Sequence, residues 1–184
     1  KGDKVLEVGT HIGYITQVFE DIVGEDGQVF VVEPTPESVH YLKKNILPTT
    51  IISFKAASNY SGEANFYTTS FGGFTNSLDE EFTKSINREH QQLHNISSDV
   101  NVIKVEVDTL DNICNEQNFI PTFLKIDVEG SELNVLKGAA QILNSINALM
   151  VEISFDKKEI IELLAHYKFE ICYEDLKTKN YFFK

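Results

Sequence analysis

Leu124-Lys125-Ile126-Asp127-Val128-Glu129-Gly130-Ser131-Glu132 is the stretch on which the fold turns. It completes the apolar run Thr122 to Val128, and Gly130 stops that run just before a segment with helical spacing. That segment, Ser131 to Leu143, repeats Leu133, Leu136, Ala140 and Leu143 on one stripe, with Ser131 as the expected N-cap. A buried strand running straight into an amphipathic helix is the repeating unit of a parallel sheet. The unit recurs upstream. Lys4 to Val8 ends at Gly9 and precedes Tyr14 to Val23, where Ile15, Val18, Phe19 and Ile22 share a stripe; Val29 to Val32 precedes Pro36 to Ile46, with Val39, Leu42 and Ile46. Ile51 to Ala57 reads as a third strand. Downstream follow Leu149 to Ile153, a helix from Lys157 to Tyr167, and a closing antiparallel pair, Phe169 to Tyr173 with Tyr181 to Phe183.

Between these halves the alternation lapses. Residues 58–99 are expected to hold a hairpin turn at Tyr60-Ser61-Gly62 leading into Ala64 to Tyr67, a glycine-rich stretch from Ser70 to Leu78 and a weak helix with Phe82, Ile86 and Leu93. A polar excursion of this length is read as a lid insertion or a surface loop. Val100 to Val107 and a short helix from Thr109 to Asn115 restore regularity. Residues 1–184 are thus expected to form a single α/β domain, doubly wound and mainly parallel.

The composition narrows the function. The 184 residues carry 16 Lys+Arg against 28 Asp+Glu, a net charge of −12, and Arg88 is the single arginine. Phosphate backbones are bound through clustered basic residues, so no nucleic-acid partner is expected. No apolar run approaches the roughly 20 residues of a membrane span. Cys114 and Cys172 lack CxxC spacing and read as small core residues in a reducing compartment, which gives a cytoplasmic expectation. The chain opens on Lys1, so it reads as a piece of a longer product.

In such sheets ligands bind beyond the carboxyl ends of the strands. After the first strand stands Glu7-Val8-Gly9-Thr10-His11-Ile12-Gly13, a strand-turn-helix whose glycines let a ligand approach the backbone. A dinucleotide turn would read G-x-G-x-x-G, and His11 stands where its second glycine belongs. Glu33 ends the second strand about twenty residues beyond Gly13, where these folds place an acid for ribose hydroxyls, and Pro34 turns the chain away. Glu7 would sit poorly against a pyrophosphate and better against a cationic cofactor, which favours S-adenosylmethionine. Asp127 and Glu129 share a face of the extended chain and converge where an acceptor must lie; helix-terminal charge complementarity is the alternative for Glu129 and Glu132.

KVLEVGTHIGYIT, VVEPTPES, FKAASNYSGE, VDTLD, LKIDVEGSELNVLKGA and VEIS, in that order, resemble the FkbM family of S-adenosylmethionine-dependent methyltransferases. The resemblance implies a three-layer αβα, Rossmann-like class I methyltransferase fold. It has a seven-stranded, mainly parallel sheet with a C-terminal antiparallel hairpin. It also implies O-methylation of a hydroxyl on a small molecule or glycan. On this basis Glu7, Gly9, Thr10, His11, Gly13 and Tyr14 form the cofactor turn, Glu33 and Pro34 the ribose site, and Ala56 and Ala57 the adenine side. Asp127 faces the methionine end. Asn76, Ser77, Glu129 and Glu152 are acceptor-side candidates, and Asp127 or His11 is the candidate base. By analogy with some class I enzymes, Asp127 and Glu152 could share a divalent cation. An NAD-dependent oxidoreductase and a non-catalytic binding member are the alternatives.

Overall fold

The structure is a computed structural model that describes residues 1–69, 75–94 and 99–184. Part of the glycine-rich stretch, residues 70–74, and the end of the excursion at 95–98 lie outside the described residues. The main sheet has seven strands: β1 (Lys4–Val8), β2 (Gln28–Val32), β3 (Ile51–Ser53), β7 (Phe123–Ile126), β8 (Ala148–Glu152), β9 (Ile171–Asp175) and β10 (Asn180–Phe183). Its order is β3-β2-β1-β7-β8-β10-β9, with only β10 and its neighbours antiparallel. The order reverses between β1 and β7, and there the chain leaves the sheet in opposite directions and opens a crevice.

Strand parity divides the core. Leu6, Phe30, Leu124, Leu149 and Phe183 face α4 (Leu110–Glu116), α5 (Glu132–Lys137) and α6 (Lys157–His166), and with Ile113, Leu136, Ile160 and Leu164 make the larger cluster. Val5, Val29 and Val31 point the other way. They meet Val23 of α1 (Tyr14–Val23) and Leu42 of α2 (Pro36–Asn45) in a smaller one. The three-layer doubly wound fold is the one expected.

Several local expectations change. Three of the four α1 stripe residues face outward, Ile15 being 38%, Val18 46% and Ile22 58% exposed; Phe19 alone packs inward, against the smaller cluster, beside the buried Thr16, Glu20 and Val23. Glu20 explains the rotation, since its carboxylate accepts hydrogen bonds from Leu47 N and the Thr50 hydroxyl. The expected third strand splits at Phe54-Lys55. Its second part, β4 (Ala56–Ala57), pairs with β6 (Val100–Asp108) in a separate three-stranded sheet with β5 (Gly62–Thr69). Tyr60-Ser61-Gly62 is therefore no hairpin turn, because the strands it joins both pair with β6. Lys55 reaches Asp108 at 3.0 Å and Glu116 at 2.6 Å and anchors the split. The helix after β7 ends at Lys137 rather than Leu143: a Cβ on Gly138 would lie 2.0 Å from Ser58 O. Val135 and Leu136 carry its buried apolar side; beyond its end Ala139 and Leu143 are buried too, and Ala140 is exposed. Ser131 makes no side-chain cap; the Glu132 carboxylate accepts from Gly130 N at 2.8 Å instead. Cys114 is buried, and burial with Asp111 nearby pushes its thiol up to about 12, whereas Cys172 is exposed on the edge strand and is not a core residue. Among the described residues no helix is long and apolar enough to cross a membrane.

Candidate active site

A cleft lies across the switch point, at the carboxyl ends of β1, β2 and β7. Its lining runs from Ala56 and Ala57, past Glu33, Pro34 and Thr35, along Gly9 and His11, to Asp127, Val128 and Glu129. Phe66, Asn76 and Leu78 supply the opposite wall from the middle excursion. Tyr67 and Ser77 exchange backbone hydrogen bonds at 2.8 and 3.0 Å, and that bridge holds Asn76 and Leu78 against β5.

The turn after β1 is built around one glycine. Gly9 has φ 78°, in the left-handed region, and a Cβ there would fall 1.7 Å from Asp127 O, inside the neighbouring backbone. The glycine thus lets the β1 turn lie directly on the end of β7. Gly13 is the N-cap of α1, also left-handed. Glu33 is buried at the lip, and each of its oxygens accepts one backbone N–H, from His11 and from Thr35, both at 2.9 Å. Burial raises its pKa against the opposing pull of the Thr35 side chain and of those backbone donors. A carboxylate oxygen holds two lone pairs, so both oxygens keep acceptor capacity toward the cleft.

Glu7 lies beneath this turn. It is 1% exposed and does not line the cleft; its Oε2 accepts from the hydroxyls of Thr16 at 2.6 Å and Thr10 at 3.1 Å. Its Oε1 makes no hydrogen bond and lies 3.4 Å from Lys125 Nζ. Burial raises the Glu7 pKa, with Lys125 and the two threonines opposing. The cation expected beside Glu7 in the ligand is therefore already present in the protein. Lys125 is the residue that sequence reasoning missed. Its signal was there, a single charge inside the apolar run Leu124-Lys125-Ile126.

Beyond β7 the acids crowd. Asp127, Glu129 and Glu152 each bring a carboxylate oxygen within 4.8 Å of the others. Burial, then Asp127, Glu152 and Glu132, push the Glu129 carboxyl up to about 8, and burial with Asp127 and Glu132 pushes Glu152 to about 7. Glu129 stands in the left-handed region at φ 57°, and its carbonyl accepts from Ser77 Oγ at 2.6 Å. Ser77 is fully buried and braces this loop from behind the wall. Of the candidates, Gly9, His11, Glu33, Pro34, Ala56, Ala57, Asn76, Asp127 and Glu129 meet in the cleft. Glu7, Thr10, Gly13 and Ser77 support it without lining it, Glu152 joins through the acid cluster, and Tyr14 is 76% exposed.

Comparisons with known proteins agree with this fold. The family model described as Methyltransferase FkbM domain matches residues 7–171. The hexuronic acid methyltransferase AglP of Haloferax volcanii is 30% identical over 172 residues; the match covers 90% of this chain and 63% of that protein. A protein-L-isoaspartate O-methyltransferase of Methanococcus aeolicus is 54% identical over 37 residues, 20% of this chain and 17% of its own. Among solved structures, the FkbM methyltransferase of Methylobacillus flagellatus superposes with a TM-score of 0.64 at 16% identity, covering 98% of this chain and 43% of that one. Aeropyrum pernix fibrillarin, with natively bound S-adenosyl-L-methionine, gives 0.54 at 15% identity, covering 100% and 65%.

Proposed function

The chain belongs to the FkbM family of methyltransferases, and from that membership we propose that its cleft binds S-adenosylmethionine and directs methyl transfer to a hydroxyl of a small molecule or glycan. The observation that carries the reading is the cradle at the switch point. Gly9 is packed so closely on Asp127 O that no side chain fits, and Glu33 is held at its lip by two backbone N–H groups. The residues present suit the cofactor: Ala56 and Ala57 leave room for adenine, Glu33 can accept from both ribose hydroxyls, and Gly9 with Asp127 faces the methionine end. A glycan acceptor is favoured by the Haloferax volcanii relative, a hexuronic acid methyltransferase of which this chain spans 63% of the length.

The bound cofactor would supply a methyl group on a sulfonium that leaves as a neutral thioether. The chain's own residues then have two tasks, to orient the acceptor in line and to take its proton. Glu129 in its ionised form is the proton acceptor in this reading. It lines the cleft, and its carboxyl, pushed up to about 8, is once ionised a stronger base than an ordinary carboxylate, so turnover is expected to rise as pH approaches 8. Asp127 orients the methionine end, and His11 contributes its backbone N–H to Glu33. A second reading places a divalent cation among Asp127, Glu129 and Glu152, favoured by the convergence of their oxygens. Activity lost to a chelator and restored by magnesium supports that cation; activity untouched by chelation removes it.

A thermal-shift comparison of S-adenosylmethionine, S-adenosylhomocysteine and NADH tests the main reading. Stabilisation by the first two alone is expected; stabilisation by NADH would point to an oxidoreductase, and by none to a non-catalytic member. Methyl-labelled cofactor offered to sugar and small-molecule hydroxyls then identifies the acceptor.

A further inference from the structure

Lys125 is 2% exposed on β7, directly beside Glu7 of β1 in the sheet register. A lysine is almost never buried this far unless it is paired, and an apolar side chain of similar length would fill the space with no charge to desolvate. What the ammonium touches gives a reason for it. Its Nζ lies 3.1 Å from Asp127 Oδ2, 3.4 Å from Gly9 O and 3.4 Å from Glu7 Oε1. Two of those partners, Gly9 and Asp127, are cleft residues that directly follow different strands, β1 and β7.

The cleft itself carries Glu33, Asp127 and Glu129, and no lysine or arginine is among its described lining residues. The amino-acid end of the cofactor is a zwitterion, so it needs an acceptor for its ammonium and relief from carboxylates near its own. We propose that Lys125 is the positioning residue for the methionine end of the cofactor, tying the β1 turn to Asp127 through a single buried ammonium. Bound to Oδ2, it fixes the Asp127 carboxylate and leaves the other oxygen for the α-ammonium. From under the floor its charge also offsets Glu7 and Asp127 where the cofactor carboxylate must lie. Burial opposes the charged form, but Asp127 and Glu7 outweigh it and raise the Lys125 pKa.

This inference rests on the reading of the cleft as an S-adenosylmethionine site. The test is titration calorimetry of wild type and Lys125→Met with S-adenosylmethionine, S-adenosylhomocysteine and 5′-methylthioadenosine, which keeps the nucleoside and lacks the amino-acid end. Loss of a charge-assisted bond predicts affinity for the first two lower by about tenfold or more, with methylthioadenosine unchanged. A uniform loss for all three, or no loss, overturns the inference and leaves Lys125 as a structural counter-ion. Should Lys125→Met fail to fold because Glu7 is left buried and unpaired, Glu7→Gln/Lys125→Met is compared with Glu7→Gln alone, with the same selective loss expected. If wild type binds none of the three nucleosides, the cofactor reading itself fails and takes the inference with it. If wild type binds and the losses are uniform, only the inference fails.

Discussion

At the β1 and β2 end of the cleft, Glu33 receives two backbone N–H groups and Glu7 receives two hydroxyls and the Lys125 ammonium at ion-pair distance. At the β7 and β8 end, Glu129 and Glu152 face Asp127 and each other's field, and their carboxyls rise to about 8 and about 7. Both ends gather acids, fully buried at the first and partly buried at the second, but one has its donors built in and the other has its charges set against one another. In the proposed reading the first arrangement is the preorganised receptor, its donors already placed by the fold. The second holds protons near neutral pH and is suited to exchanging one. A methyl transfer to a hydroxyl needs both, a fixed cofactor and a group that can take a proton.

The contrast breaks most severely if the rigid end is disturbed. Gly9→Val forces a side chain into Asp127 O, and cofactor binding should fall below detection in a calorimetric titration, with the turn rather than the global fold affected. Glu33→Ala comes next. It strands the N–H groups of His11 and Thr35 and removes the proposed ribose acceptor, so affinity should drop by about tenfold to a hundredfold while any residual turnover at saturating cofactor persists. At the other end the pattern inverts: Glu129→Gln should leave cofactor affinity near wild type and lower kcat by about a hundredfold or more, as loss of a general base does. If both variants lowered affinity alike, the division of the cleft into two ends would be wrong.

The smallest effect sharpens the contrast through pH. The folded pKa values of Glu129 and Glu152 lie above their ordinary value of 4.5, so the fold holds their protons more tightly than the unfolded chain does. That contribution is complete below the ordinary value and is lost as pH rises through about 7 and 8. Tm should therefore decline from about pH 5 to about pH 9, and Glu152→Gln should flatten the decline by a few degrees at most, Glu152 being partly exposed. A decline unchanged by Glu152→Gln and Glu129→Gln would assign it to other groups.

The rigid end was largely legible in the sequence, because strand, glycine turn and strand-end acid are local signals that each sit within a few residues of their structural role. Gly9, Gly13 and Glu33 are of this kind. What was not legible depends on partners far along the chain. Helical spacing groups Ile15, Val18, Phe19 and Ile22 on α1 but does not give the orientation, which Glu20 fixes through Leu47 and Thr50 and which turns all but Phe19 outward. The pairing of Glu7 is not legible locally, because its counter-ion, Lys125, lies on a strand more than a hundred residues away. Asn76 and Ser77 were both expected at the acceptor, and only the bridge between Tyr67 and Ser77 separates them, one lining the cleft and the other bonded behind it. The raised carboxyls of Glu129 and Glu152 come from burial and mutual proximity, which no local pattern records.

The central claim is that the switch-point cleft is an S-adenosylmethionine site, and titration of the wild-type chain with S-adenosylmethionine, with NADH as comparator, tests it most directly. Saturable one-to-one binding of S-adenosylmethionine, abolished by Gly9→Val and absent for NADH, is the result expected. Binding of NADH in its place, or S-adenosylmethionine binding that survives Gly9→Val unchanged, would contradict it.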